Sequence, residues 1–387
     1  MESKIELSIV MPCLNEAETL ATCINKAQSF LESNDVHGEV IIADNGSRDG
    51  SIEIANSHNA KLIHVKPKGY GSALREGIKA SKGTYVIMAD ADDSYDFSNL
   101  MPFLTELRNG YDLVMGNRFK GGIEKNAMPF LHKYLGNPVL SFIGRLFFKI
   151  KIGDFHCGLR GFSKEAYSKL NLKTTGMEFA SEMIVKAKLN NLTITEVPTK
   201  LSKDGRTRAP HLDTWNDGWR HLRFLLLYSP KWLFLYPSII MLLAGITTSI
   251  VLIIKPIALD NITFDVHTLL YTSSLTLIGF QFFIFYALTK IFAVENGLLP
   301  KSKRYDNLFK YLNLEKGLII GFLLLLLGLI LSVKGLFFWE SVDFGLLSNP
   351  SSTLRIVIPA VFTILLGIQI ILFSLFFSIL SLKSQTE

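Results

Sequence analysis

Tyr85-Val86-Ile87-Met88-Ala89-Asp90-Ala91-Asp92-Asp93-Ser94-Tyr95-Asp96-Phe97 decides how this chain is read. Its first five residues are apolar, follow Gly83 closely and are too few for a helix, which is the pattern of a strand buried on both faces of a parallel sheet. The carboxylates of Asp90, Asp92, Asp93 and Asp96 come directly after. In open α/β sheets, ligands bind beyond the carboxyl ends of the strands. Two aspartates separated by one residue at such an end can both reach one hard cation, whose remaining positions stay open to water and phosphate oxygens. Solvated turn acids with helix-capping duty are the competing explanation.

Upstream, a strand over 5–11 ends at Pro12, and helical spacing over 16–31 puts Leu20, Ile24 and Ala27 on one face. A second strand, 40–43, runs into Asp44-Asn45-Gly46-Ser47, and a third covers 61–65. A helix through Ala73 and Ile78 then leads to the strand that opened this reading. This alternation predicts an α/β domain with a parallel sheet and right-handed crossovers. At its strand end Asp44 could accept from a nucleobase N–H, or simply cap a turn. Lys66 to Ser72 could cradle phosphate through backbone N–H groups, although no Gly-Lys-Ser/Thr follows to make it a P-loop.

Downstream, a strand over 112–116 delivers Arg118 to the same sheet edge as Asp90, and the guanidinium fork suits phosphate oxygens. The stretch 128–152 is apolar with His132, Lys133, Arg145, Lys149 and Lys151 interspersed. It reads either as a core helix pair broken at Pro138 or as a helix on a membrane surface. Glu178 and Glu182 lie one helical turn apart.

Composition divides the chain of 387 residues near Lys231. Beyond it, apolar stretches at 233–254, 269–292, 318–338 and 356–380 each have the length that crosses a bilayer, and no acid or base lies deep inside them. The residues 211–228 put Leu212, Trp215, Trp219, Leu222 and Leu226 on one face, with Arg220 and Arg223 beside them, which suits a headgroup layer. The expected division is therefore 1–210 catalytic, 211–232 interfacial helix and linker, and 233–387 membrane domain. Lys301, Lys303, Arg304, Lys310 and Lys316 between the second and third spans place that loop, both termini and the first domain in the cytoplasm of a multi-pass cell-membrane protein. The net charge of +6 is not gathered into the blocks of a nucleic-acid binder, so no nucleic-acid partner is expected. Cys13, Cys23 and Cys157 have no metal-ligand spacing and fit a reducing compartment, and His156-Cys157 reads as a non-ligand pair. The opening residues lead straight into a strand, so no cleaved signal peptide is expected.

Pro12-Cys13-Leu14-Asn15-Glu16, Asp44-Asn45-Gly46-Ser47, Gly69-Tyr70-Gly71-Ser72-Ala73-Leu74-Arg75, Asp90-Ala91-Asp92 and Gly116-Asn117-Arg118-Phe119 occur in an order and spacing that resembles the family 2 glycosyltransferases. More narrowly, they look like the polyprenyl-phosphate sugar synthases of the dolichyl-phosphate mannose synthase type, over roughly 5–210. The resemblance implies a GT-A fold and an Asp-x-Asp (DXD) site for Mg2+ or Mn2+. It also implies inverting transfer from a nucleotide-diphosphate sugar to a polyprenyl phosphate such as undecaprenyl or dolichyl phosphate, for cell-envelope glycans or protein glycosylation. By position, Pro12, Leu14, Glu16, Ile42 and Asp44 would line the nucleoside pocket, and Asp90, the Ala91 carbonyl and Asp92 would hold the metal. Ser94 departs from the family, whose members commonly have Gln there.

The segment Asp154 to Phe162 is similar to the family's Asp-x-x-Ser-Gly-x-Arg, in which Asp154 or Arg160 could face the sugar or form a structural salt bridge. Gly205, Thr207 and Arg208 match in kind the family's Arg-x-x-Gly-x-Ser-Lys, which makes Arg206 and Arg208 candidates for gripping the donor pyrophosphate and the acceptor phosphate. His132 or Lys133 could be a further phosphate contact. Asp92, Arg118, Arg206 and Arg208 are thus the expected catalytic set. A phosphate monoester, with a second pKa of about 6, is already ionised near neutrality and needs no general base. Glu178 and Glu182 then orient the sugar or basic residues, or serve as a cap and surface pair. The rival functions are a hydroxyl-acceptor or processive polysaccharide synthase, whose Gln-x-x-Arg-Trp motif is absent from the sequence, and a non-catalytic lipid-phosphate-binding partner of a flippase. Nucleobase, sugar, polyprenol and homo-oligomerisation stay open.

Overall fold

The computed structural model describes residues 4–207, 214–301 and 313–384, and the chain divides into the units Met1–Tyr228 and Ser229–Glu387. In the first unit β1 (Leu7–Cys13), α1 (Leu20–Ser33), β2 (Gly38–Asp44), α2 (Ser51–Ser57), β3 (Lys61–His64), α3 (Tyr70–Ala80) and β4 (Tyr85–Met88) alternate as the hydrophobic pattern requires. They are followed by α4 (Met101–Arg108), β5 (Leu113–Asn117), the one-turn α5 (Arg118–Gly121), a π-helical turn (His132–Gly136) and α6 (Asn137–Phe148). β6 (Arg160–Ser163), α7 (Lys164–Leu170), α8 (Phe179–Leu189), β7 (Ile194–Pro198) and α9 (Thr214–Leu227) complete the unit.

The seven strands form one sheet in the order β3-β2-β1-β4-β6-β5-β7. Its strands are apolar on both faces because both are covered. Ile9, Met11, Ile42 and Ile87 enter one core cluster, and their neighbours Val10, Ile41, Val86 and Met88 enter the other. Each such fully buried side chain contributes roughly 1.5–3 kcal/mol.

The sheet is not wholly parallel, as the alternation alone predicted: β6 runs antiparallel between β4 and β5, pairing Tyr85 with Ser163 and Leu113 with Phe162. The cause lies in the segment after β5. No crossover helix returns the chain to the amino edge, so it re-enters the sheet at the carboxyl edge, where Arg160 pairs with Met88 and Met115. This reversal sets Asp154 to Leu159 next to the loops that follow β4 and β5. The mixed sheet is the GT-A arrangement.

The second unit holds four helices long and apolar enough to cross a membrane, Lys231–Ile254, Val266–Glu295, Leu314–Glu340 and Pro350–Leu380. They correspond to α10 (Tyr236–Ile254), α11 (Val266–Glu295), α12 (Leu314–Glu340) and α13 (Pro350–Ser384), with a small hairpin, β8 (Ile257–Leu259) and β9 (Ile262–Phe264), joining α10 to α11. In α12, Gly321 and Gly328 lie seven residues apart and let α13 approach: a Cβ would meet the Gly367 carbonyl at 2.8 Å from the first and the Ala360 carbonyl at 2.8 Å from the second. Small residues at such a seam replace the hydrophobic drive that lipid cannot supply. Arg355 of α13 pairs at 2.5 Å with Asp265, just before α11.

Candidate active site

Parallel strands bring the loops after β1, β2, β4 and β5 to one edge, and antiparallel β6 adds the segment before it. Two cavities open there. One, of about 380 Å³, is lined by Asn15, Glu16, Glu18, Arg48, Asp49 and Arg206. The other, of about 410 Å³, has Asp90, Arg118, Tyr70 and Tyr95 among its polar lining, and Leu131, Leu135, Leu140, Trp215 and Trp219 among its apolar lining.

Asp90 faces the second cavity. Tyr70 donates a hydrogen bond to its carboxylate, yet burial, and after it the charge of Asp92, raises its pKa well above the usual carboxylate range. Gly158 comes so close that a Cβ there would sit 2.6 Å from Asp90 Oδ2, so only glycine allows this approach. Asp92 is held differently. Its Oδ1 accepts from the Ser94 N–H at 3.1 Å and the Ser94 hydroxyl at 2.6 Å, and its Oδ2 accepts from Arg206 Nη2 at 2.8 Å. Ser94, the departure from the family pattern, therefore fixes the rotamer of Asp92.

Arg206 joins this acid pair to the first cavity. Its Nη1 donates to Glu16 Oε1 at 3.1 Å, and its Nη2 also donates to Asp204 Oδ2 at 3.0 Å. Although burial disfavours its charge, the carboxylates of Asp92 and Glu16 more than restore it and raise its pKa. The loop carrying it is pinned by Ser202 N–H to the Ser94 carbonyl at 3.0 Å and by Gly205 N–H to the Asp92 carbonyl at 3.0 Å. Thr207 ties the same loop to Glu18.

Arg118 sits in a buried fork. Its Nε donates to Asp154 Oδ2 at 2.6 Å and its Nη2 to Asp154 Oδ1 at 2.9 Å. The backbone N–H groups of Arg118 and His156 also donate to that carboxylate, each at 3.2 Å. Asp154 thus pairs with Arg118 and not with Arg160. Arg160, with no solvent exposure, donates to the carbonyls of Cys157, Phe155 and Ala180, and shapes the segment before β6.

Several expected contacts fall elsewhere. Ile42 has no exposed surface and packs in the core beneath the sheet edge, so its side chain does not line a nucleoside pocket. Asp44 accepts from the backbone N–H of Gly46 at 3.0 Å and of Ser47 at 3.1 Å, which is the turn-capping arrangement. Pro12 and Leu14 are half-buried and line neither cavity. The Ala91 carbonyl accepts from Thr19 Oγ1 at 2.7 Å. His132 lines the second cavity and Lys133 does not. Arg208 lies outside the described residues. Glu182 is buried, pairs with Lys186 at 2.9 Å and accepts from the N–H of Lys173 and Thr174, so it anchors a loop.

Sequence reasoning missed Arg48, Asp49 and Glu18 in the first cavity. The repeated acids around Asp44-Asn45-Gly46-Ser47-Arg48-Asp49 were the available signal. It missed the cavity-lining His156 as well, because an isolated histidine beside a cysteine carries no spacing signal.

Among the described residues no group of three or more His, Cys, Asp or Glu side chains converges on one point. A cation at the expected Asp-x-Asp site would therefore take two carboxylates, Asp90 and Asp92, from the described residues. That donor set fits a Mg2+-like ion that takes one or two carboxylates and completes its shell with water and substrate phosphate. The raised Asp90 pKa is compatible with this: burial first, and the Asp92 charge second, oppose its ionisation, and a cation beside both acids would offset that cost.

Residues 8–170 match the family model for glycosyl transferase family 2, and 287–381 match that for the glycosyltransferase family 2 C-terminal transmembrane region. The chain is 35% identical over 367 residues to the low-salt glycan biosynthesis hexosyltransferase Agl6 of Haloferax volcanii, covering 94% of this chain and 86% of that relative. The chain belongs to glycosyltransferase family 2. This family 2 enzyme is also 28% identical over 194 residues to a dolichyl-phosphate hexose transferase of Haloferax volcanii, covering 50% of this chain and 81% of the relative. To the dolichol-phosphate mannosyltransferase of Pyrococcus furiosus it is 27% identical over 202 residues, covering 50% and 56%. Glucosyl-3-phosphoglycerate synthase from Mycobacterium tuberculosis is similar in structure, with a TM-score of 0.45 and 20% identity over 58% of this glycosyltransferase and 80% of the solved chain.

Proposed function

We propose that this glycosyltransferase moves a hexose, with inversion, from a nucleotide-diphosphate sugar to a polyprenyl phosphate. The observation that carries this reading is the second cavity: Asp90 and Arg118 give it a charged end, and its apolar lining comes from the π-helical turn, α6 and α9. Those elements also expose large apolar side chains, among them Tyr134, Phe142, Trp215 and Trp219, the last two 76% and 59% accessible. Rings of this kind suit a bilayer interface, and a cavity with one charged end and apolar walls suits an anionic head on a long hydrocarbon chain.

In this mechanism the donor enters the first cavity, where Arg206 meets its pyrophosphate, and Arg208 is the second phosphate ligand that the family resemblance implies. Asp90 and Asp92 would hold a divalent cation, Mg2+ or Mn2+, and such an ion would supply positive charge for the leaving diphosphate. The acceptor phosphate meets Arg118, whose guanidinium Asp154 holds in one orientation. One oxygen of that phosphate attacks the anomeric carbon, a C–O bond forms on one face, and the bond to the donor phosphate breaks on the other. No base is needed because the acceptor is already an anion near neutrality. Catalysis is therefore positioning and charge neutralisation. The catalytic unit faces the cytoplasm, where activated sugars are made, and 1–210, 211–232 and 233–387 act as catalytic, interfacial and membrane domains.

The test incubates membranes containing the enzyme with labelled nucleotide sugars and a polyprenyl phosphate, with and without chelator. A chelator-sensitive, labelled lipid phosphate supports the proposal. Labelled polymer supports a processive synthase, and no product with any donor supports a non-catalytic lipid-phosphate binder.

A further inference from the structure

His156 lines the second cavity. Both ring nitrogens of His156 are shut off from solvent and have no hydrogen-bond partner among the described residues. A buried N–H or imidazole lone pair without a partner is costly, and native proteins rarely leave one so. Its neighbour is no remedy. The ring of His221 packs edge-on with centroids 4.5 Å apart, and His221 Nδ1 is already engaged by Ser181 Oγ at 2.8 Å.

The surroundings define the kind of group this ring can serve. Burial first, then His221, Arg118 and Arg160, disfavour the charged imidazolium, so the ring is an uncharged donor in a positive field. Arg118 and His156 belong to one frame, because the Asp154 carboxylate takes the side chain of one and the backbone N–H of both. Both line the same cavity, which is otherwise largely apolar. An anionic oxygen entering there would take the unmatched imidazole N–H while facing Arg118.

We propose that His156 turns from His221 to donate a hydrogen bond to the acceptor's phosphate, forming with Arg118 a two-point clamp that recognises the head of the lipid and not its chain. This inference rests on the lipid-phosphate reading above, and adds to it a residue of this chain with a stated partner atom. The clamp also accounts for Ser181: by holding His221, it keeps that ring from competing for His156.

The test measures binding without catalysis. The full chain in lipid nanodiscs, with chelator and no donor, is titrated with farnesyl phosphate, and quenching is read from tryptophan emission, since Trp215 and Trp219 line the cavity. Farnesol and inorganic phosphate are the controls. His156→Phe keeps an aromatic ring and removes the donor; His156→Gln and His156→Asn keep a donor. Loss of a hydrogen bond to a charged oxygen predicts roughly ten- to hundredfold weaker farnesyl phosphate binding by His156→Phe. Farnesol binding should not change, and at least one of the two amide variants should bind close to the native value. If His156→Phe fails to reach the membrane, His156→Ala replaces it with the same expectation. Native binding with an unchanged His156→Phe affinity overturns the clamp and leaves the lipid-phosphate reading standing, as does equal weakening for farnesol. No saturable farnesyl phosphate binding by the native chain overturns the reading itself.

Discussion

Asp154 has no exposed surface and receives four donors: Arg118 Nε at 2.6 Å, Arg118 Nη2 at 2.9 Å, and the N–H groups of Arg118 and His156 at 3.2 Å each. Asp154→Ala strips all four of their acceptor and leaves a buried guanidinium uncompensated. Breaking a buried pair from one side costs about 3–5 kcal/mol. For a unit of this size, in which 1 kcal/mol shifts the midpoint by about 2–4 °C, the expected fall in Tm is about 6–20 °C. Arg118→Met in the same background should recover much of it, because removing both charges leaves no unpaired ion. Neither variant should transfer sugar. The assay is thermal unfolding of native, Asp154→Ala, Arg118→Met and the double variant, followed through tryptophan emission. A single Asp154→Ala variant within about 2 °C of native, or a double variant no more stable than it, would refute the view that this pair is a buried, mutually dependent fork.

Asp92→Asn should still insert and fold but lose activity by at least about a hundredfold, because the amide cannot serve as a carboxylate ligand; steady-state rates across a Mn2+ titration check this. Gly158→Ala should raise the Mn2+ concentration needed for half-maximal rate, since the added methyl would lie 2.6 Å from Asp90 Oδ2 and must displace it. His221, buried beside Arg160, has its pKa pushed down to about 4. Between there and its unfolded value of about 6.5, the unfolded chain binds the extra proton, so stability falls as pH drops through that window, by up to about 3 kcal/mol. His221→Gln should flatten the acid limb of Tm against pH, and an unchanged slope would show that this ring is not the one being charged.

Much of this site was legible because strand ends and carboxylates announce themselves locally. Ala89-Asp90-Ala91-Asp92 reads as a buried strand meeting a crevice from its residues alone, and the four apolar stretches read as membrane helices from length and composition. What escaped depended on contacts distant in sequence. Arg160-Gly161-Phe162-Ser163 is too short and mixed to read as a strand, and its antiparallel direction follows from where the chain re-enters the sheet. Ile42 sits one strand-end short of the surface, so position in a motif suggested a pocket where alternation put core. Asp154, 36 residues from Arg118, could have paired with either arginine until the fold selected one. The seam of Gly321 and Gly328 carries a seven-residue spacing that hydropathy alone conceals.

The central claim is that the acceptor is recognised and used as a phosphate. The most direct measurement is the initial rate of sugar transfer by the purified enzyme to a polyprenyl phosphate, set against the same polyprenol without its phosphate, in one lipid composition at saturating donor and Mn2+. The expected result is transfer to the phosphate alone, giving a product in which the sugar is joined through a phosphodiester that mild acid cleaves. Equal or faster transfer to the free alcohol, giving an acid-resistant glycoside, would contradict it.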